Sequence, residues 1–276
     1  MKRKELIKNI LTYTVLTLGA LLMFFPFYWM FSSAVKNPGE YASYPPKLWP
    51  SNWFNFENFI TAFTTVDFAS YFKNSFIVVI ISVSVNSLTT ILAAFAFSRL
   101  RFKGRNVAFT VLLSFMMVPF EMLVITNYQT IVKMKLVNTI PALIVPFTSS
   151  IFYTYILKNF FDTMPDSLYY SAKIDGCSNW QYLWKVMVPV AKPSLVTIIL
   201  LNTIASFNSF LWTQLTIYTD KFRTVPLGIS KFVTDSGSNP QLQLAAASLC
   251  VLPMIILFLF TRKYIVGGVA RGGMKG

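Results

Sequence analysis

The chain has 276 residues, 55% of them hydrophobic and 12% charged, with a net charge of +14 and a mean hydropathy of +0.56. A soluble domain is about 45–50% apolar and about a quarter charged, so this balance cannot clothe a water-facing surface and excludes a large soluble domain. The basic excess sits between apolar stretches, which sets a nucleic-acid partner aside in favour of a membrane, and with no histidine and only Cys177 and Cys250 neither a metal site nor a disulfide is expected.

Six long windows are free or nearly free of charge. They run over Asn9–Val35, Asn74–Ser98, Asn106–Val132 (interrupted by Glu121), Leu136–Leu157, Pro193–Thr219 and Ser236–Thr261. Each exceeds the roughly 20 residues that cross a bilayer as helix, and alternating barrel strands are absent. The predicted fold class is therefore all-α: one polytopic membrane domain over residues 1–276 with about six transmembrane helices. Lys2, Arg3 and Lys4 imitate the start of a signal peptide, but the apolar run behind them is too long, and Ser32-Ser33-Ala34 is a poor cleavage site. An uncleaved first helix is expected. With the N-terminus cytoplasmic, 16 of the 24 lysines and arginines fall on inner segments and 8 on outer ones. That bias predicts a multi-pass cell-membrane protein with both termini inside. Its strongest marker is Arg99-Leu100-Arg101-Phe102-Lys103-Gly104-Arg105.

Two connections are long. The outer one, 36–73, carries Pro45, Pro46, Trp49, Pro50 and Trp53 and suits an interfacial cap. The inner one, 158–193, reads as two short helices. Thr163 and Pro165 are placed to open the first and Gly176 to end it. Ser178 and Gln181 have capping-box spacing, and Trp180, Leu183, Trp184 and Met187 follow at i, i+3, i+4 and i+7 as one apolar face before Pro189. By physics alone this hairpin either lies on lipid headgroups or docks into a groove of another protein.

Tyr170-Ser171-Ala172-Lys173-Ile174-Asp175-Gly176, followed after nine residues by Val186-Met187-Val188-Pro189, resembles the EAA loop of ABC importer permeases. Arg99 to Arg105, Met117-Val118-Pro119-Phe120-Glu121 and the end from Val269 to Gly276 resemble the same family, in its carbohydrate-uptake, maltose-permease-like branch. Tyr170 stands where that family has glutamate, and Ser171 where it has alanine. The resemblance implies that Ser171, Ala172, Asp175, Gly176, Trp180, Leu183, Trp184, Met187 and Pro189 couple the chain to an ATPase. It also implies a partner set: two ATPase subunits, a second related permease, an extracytoplasmic solute-binding protein and a carbohydrate substrate, in a lipid membrane. No phosphate-loop motif is present, so ATP and magnesium would belong to the ATPases, and this chain would bind no cofactor and catalyse nothing. A polyol phosphate such as glycerol phosphate is the alternative substrate, and an ion-coupled secondary transporter the alternative class.

Glu121 is the one charge inside an apolar window. It marks either a translocation path or a structural hydrogen bond at the Pro119 kink. Asn202, Ser206, Asn208 and Ser209 offer neutral donors and acceptors for sugar hydroxyls, with Phe207, Phe210 and Trp212 to stack on rings. The same amides and hydroxyls also serve as glue between membrane helices.

Overall fold

The structure, a computed structural model, describes residues 2–234 and 239–272. The expected start of the last span at Ser236 and the final Gly273–Gly276 lie outside the described residues. Among the described residues every regular element is helical. The principal helices are α1 (Lys2–Ala34), α2 (Phe68–Arg99), α3 (Arg105–Phe115), α4 (Phe120–Lys133), α5 (Ile140–Phe147), α6 (Ile151–Asp162), α7 (Asp166–Ile174), α8 (Asn179–Val190), α9 (Lys192–Phe207), α10 (Leu211–Thr216) and α11 (Pro240–Gly272).

Three of these, α1, α2 and α11, are long and apolar enough to cross a bilayer unaided. The other apolar windows are not single rods. The third breaks at Met116–Pro119 into α3 and α4, bent by 98°. Pro119 has no N–H to continue the ladder, and the Met122 N–H closes back on its carbonyl at 3.1 Å. The fourth is α5 and α6, bent by 44°, with the Ser150 hydroxyl capping α6. The fifth is α9 and α10, parted at Asn208–Phe210. The 16 residues of α9 rise about 24 Å, short of the hydrocarbon thickness.

The chain forms two compact units, Met1–Ala69 with Gly228–Pro253 and Ser70–Leu227 with Met254–Gly276. In the first, the loop after α1 is tied back onto that helix. Lys36 is 1% exposed, with its Nζ 2.6 Å from the Lys47 carbonyl and 4.3 Å above the Trp29 ring. Burial lowers the pKa of its ammonium. The Asn58 amide donates to the Ala34 and Lys36 carbonyls, and the Tyr28 hydroxyl donates to Leu48 O at 2.9 Å. The Glu40 carboxylate accepts from the Ser51 hydroxyl and N–H, which holds its pKa below the usual carboxylate value. Tyr44, Trp49 and Phe54 stay exposed.

The second unit has two apolar cores. One gathers Ile91, Phe95, Leu157, Phe161, Tyr182, Leu183, Met187 and Ile198 from α2, α6, α8 and α9. The other joins Val78, Val124, Ile131, Leu143 and Trp212, with Phe120 and Phe147 packed on the Trp212 ring and on each other.

Candidate functional site

The hairpin is α7 and α8. Thr163, expected to cap α7, instead caps the end of α6 through its N–H; its hydroxyl bonds Phe160 O, and Pro165 precedes α7. Gly176 has φ +78° and ends α7 in a Schellman turn: the Cys177 N–H reaches Ala172 O at 2.9 Å and the Gly176 N–H reaches Lys173 O at 3.1 Å. Ser178 and Gln181 form the reciprocal capping box that opens α8. The Tyr169 hydroxyl donates to Asn179 Oδ1 at 3.0 Å, and its ring meets Tyr182 edge-on, so the two arms hold one angle. Burial raises the pKa of the Tyr182 phenol. The arm α8 turns by 80° into α9 at Ala191, which is fully buried.

The apolar stripe of α8 divides. Leu183 and Met187 are buried in the chain's own core, so they are not free to meet a partner. Trp184 is half-buried against that core with its ring edge-on to Trp180. What faces outward is Trp180, 60% exposed, with Ile174, 86% exposed, and Tyr170 one turn before it on α7. Ser171, Asp175, Gly176 and Pro189 are also exposed, and Ala172 is buried.

A second feature lies where α2, α5, α9 and α10 meet. A cavity of about 100 Å³ is lined by Val78, Leu143, Phe147, Asn202, Ala205, Ser206, Ser209, Thr213 and Thr224. Asn202 Nδ2 and Thr224 Oγ1 are buried there with no hydrogen-bond partner among the described residues. Unpartnered buried donors are rare and costly, at roughly 1–3 kcal/mol each. Asn208 caps the end of α9 and stays exposed outside the cavity. Trp212 is pinned in the core by an Nε1 hydrogen bond to Ala142 O at 2.9 Å, and Phe207 is buried; neither offers a stacking face. Glu121 is exposed in the first turn of α4 and makes no side-chain hydrogen bond among the described residues, so nothing ties it to the Pro119 break.

Residues 86–271 match the family described as binding-protein-dependent transport system inner membrane component. The chain belongs to that family. It is a family of ABC importer permeases, multi-pass membrane subunits rather than enzymes, with ATP hydrolysed by separate subunits. This permease is 34% identical over 283 residues to the trehalose/maltose transport system permease protein MalG of Thermococcus litoralis, covering 99% of each chain. It is 32% identical over 221 residues to the arabinooligosaccharides transport system permease protein AraQ of Halalkalibacterium halodurans, covering 80% of this chain and 79% of that one. Its fold matches a chain in the crystal structure of a bacterial ABC transporter involved in the import of the acidic polysaccharide alginate. The TM-score there is 0.85 at 21% identity, over 95% of this chain and 98% of the other.

On this permease the structure brings Asn202, Ser206 and Ser209 to one cavity and leaves Glu121 and Asn208 elsewhere. Thr213 and Thr224 complete the lining, although sequence reasoning passed over them. The signal for Thr213 was its place four residues after Ser209 in the same apolar window; its hydroxyl donates to the Ser209 carbonyl at 2.7 Å across the start of α10. Thr224 comes from a distant loop and had no local signal.

Proposed function

We propose that this permease moves a carbohydrate inward by alternating access, as one subunit of an importer that also contains a second related permease, two ATPases carrying ATP and magnesium, and an extracytoplasmic solute-binding protein. The observation that carries the proposal is the hairpin. Its root, Leu183 and Met187, is embedded in the same core as α2, α6 and α9, while Ile174 and Trp180 present bare apolar surface outward. An element rooted in the membrane helices and apolar at its tip suits a lever that a closing ATPase can push. The proposal places the hairpin and both termini on the cytoplasmic side, by the basic bias.

The cavity supports a neutral, hydroxyl-rich substrate. Its polar lining consists of an amide and hydroxyls, with no lysine or arginine to neutralise a phosphate. A polyol phosphate is accordingly not favoured, and neither is an ion-coupled transporter, since Glu121 stands apart from the cavity. Ser209, within the α9–α10 break at Asn208–Phe210, lines the cavity, which supports this break as the place where the cavity opens during the cycle. The trehalose/maltose and arabinooligosaccharide relatives point to a disaccharide or oligosaccharide.

The test is uptake of labelled neutral disaccharides, oligosaccharides and glycerol phosphate by proteoliposomes containing the complete complex. Saccharide uptake that needs both ATP and the binding protein is expected. Uptake of glycerol phosphate alone, or uptake driven by an ion gradient without ATP, would overturn the proposal.

A further inference from the structure

In the sequence Arg99 is only one of several basic residues that mark an inner loop. In the structure its side chain is 8% exposed and closes on two other elements at once. Nη2 donates to Phe161 O at 2.8 Å and to Met164 O at 2.7 Å, at the carbonyl-rich end of α6. Nη1 pairs with the carboxylate of Asp166, the first residue of α7. Beside it the Ser98 hydroxyl donates to Asp162 Oδ1 at 2.7 Å, and Asp162 in turn pairs with Lys158 at 2.6 Å. Arg105 Nη1 donates to the Ser98 and Leu100 carbonyls and so fixes the end of α2 that carries the clamp.

A planar guanidinium can serve two carbonyls and a carboxylate together, whereas an ammonium is a single point of charge. The negative end of the α6 dipole and the Asp166 carboxylate both favour a cation at this spot. The base of the hairpin is therefore bolted to α2 as well as to α6, the helix that leads into it.

The grip continues along α2. The Thr89 hydroxyl donates to Thr148 O at 2.7 Å and the Asn86 amide donates to Phe147 O at 3.0 Å, both at the break between α5 and α6. Phe147 lines the polar cavity, as does Val78 of α2. A physical chain thus runs from the hairpin through Arg99 and α2 to the cavity wall.

We infer that Arg99 is the positioning residue that passes movement of the hairpin to α2 and, through the Phe147–Thr148 break, to the cavity. The inference rests on the proposal that the hairpin receives an ATPase. Without the clamp the hairpin still offers its outward face to that partner, but its displacement is taken up at the loosened α6–α7 joint.

The experiment compares wild type with Arg99→Gln, Arg99→Lys and Asp166→Asn in the complete complex in proteoliposomes. Three quantities are read: ATPase retained on purification, ATP hydrolysed, and sugar taken up per ATP. Arg99→Gln is expected to keep the ATPase and continue hydrolysis while uptake per ATP falls about tenfold, inside the ordinary range of coupling between sites. Arg99→Lys recovers part of that loss, and Asp166→Asn, which leaves the guanidinium on its two carbonyls, shows a smaller fall. If the variants lose ATPase binding, hydrolysis and uptake in parallel with an unchanged ratio, Arg99 is only structural and the inference is overturned. An unchanged ratio at full activity overturns it too. Should Arg99→Gln fail to assemble, the ratio in Asp166→Asn decides in the same way. Failure of the docking proposal shows separately, as ATPase retention unaffected by Trp180→Ala.

Discussion

Gly176 offers a test in which backbone and contact effects separate. Its φ of +78° lies in the left-handed region, and a Cβ added there would meet nothing within 4 Å. Inside this chain the cost of a substitution is thus entirely conformational, roughly 1–2 kcal/mol for an ordinary L-residue, less for asparagine and more for a β-branched residue. Relaxing that strain means giving up the bonds from Cys177 N to Ala172 O and from Gly176 N to Lys173 O, which set the angle between the two arms. Each 1.4 kcal/mol is about a factor of ten in the population of the competent hairpin. Affinity for the ATPase is therefore expected to fall within about threefold for Gly176→Asn, about tenfold for Gly176→Ala and further for Gly176→Val. The assay is titration of purified ATPase onto the permease pair in nanodiscs, with thermal unfolding as a check that the cores are intact. If Gly176→Ala bound better than the bulkier Gly176→Asn, the order would follow side-chain volume. Close approach by a partner, rather than the turn, would then be the requirement, and the reasoning here would be wrong.

Further outcomes follow from the same geometry. Trp180→Ala is expected to weaken ATPase binding by about 2 kcal/mol without lowering the melting temperature. Leu183→Ala is expected to cost roughly 2–5 kcal/mol of stability because it empties a packed core; equal behaviour of the two in both assays would contradict the inward–outward division of α8. Glu121, exposed and without a side-chain hydrogen bond among the described residues, is expected to tolerate both Gln and Leu with uptake retained, and abolished uptake in an assembled Gln variant would show that the charge itself is needed. Asn202→Leu, which fills the polar cavity, is expected to leave assembly intact and stop uptake; normal uptake would remove the cavity from the path. Cysteines placed at Ser51 and Lys103 are expected to label from opposite faces of the membrane, and labelling from one face would refute the topology.

The apolar windows, the helical class of the described residues and the turn at Gly176 were legible in the sequence because each depends on local composition or a local φ requirement. The breaks in the third, fourth and fifth windows were not, since apolarity measures only whether a segment tolerates lipid. Pro119 was read as a kink, but a 98° turn needs the packing of Phe120 on Phe147 and Trp212 to hold it. Trp180, Leu183, Trp184 and Met187 were read as one apolar face of α8, and the structure divides them between core and surface. Periodicity cannot say whether a face meets its own core or a partner, and Leu183 and Met187 went to the core. Thr163 satisfied the rule for an N-cap, yet the same hydroxyl serves equally well at the end of the preceding helix. Arg99 looked like a charge that labels a side of the membrane. Its acceptors lie more than sixty residues away, at Phe161, Met164 and Asp166, and no local pattern announces them.

The central claim is that the α7–α8 hairpin takes the ATPase on its outward face. It is tested most directly by placing a photo-crosslinking residue at Trp180, and separately at Leu183, in the assembled complex. The account predicts a crosslink from position 180 to the ATPase subunit and from position 183 only within the permease. Labelling of lipid from position 180, with no ATPase product in a complex that still imports, would contradict it and make the hairpin a helix lying on headgroups.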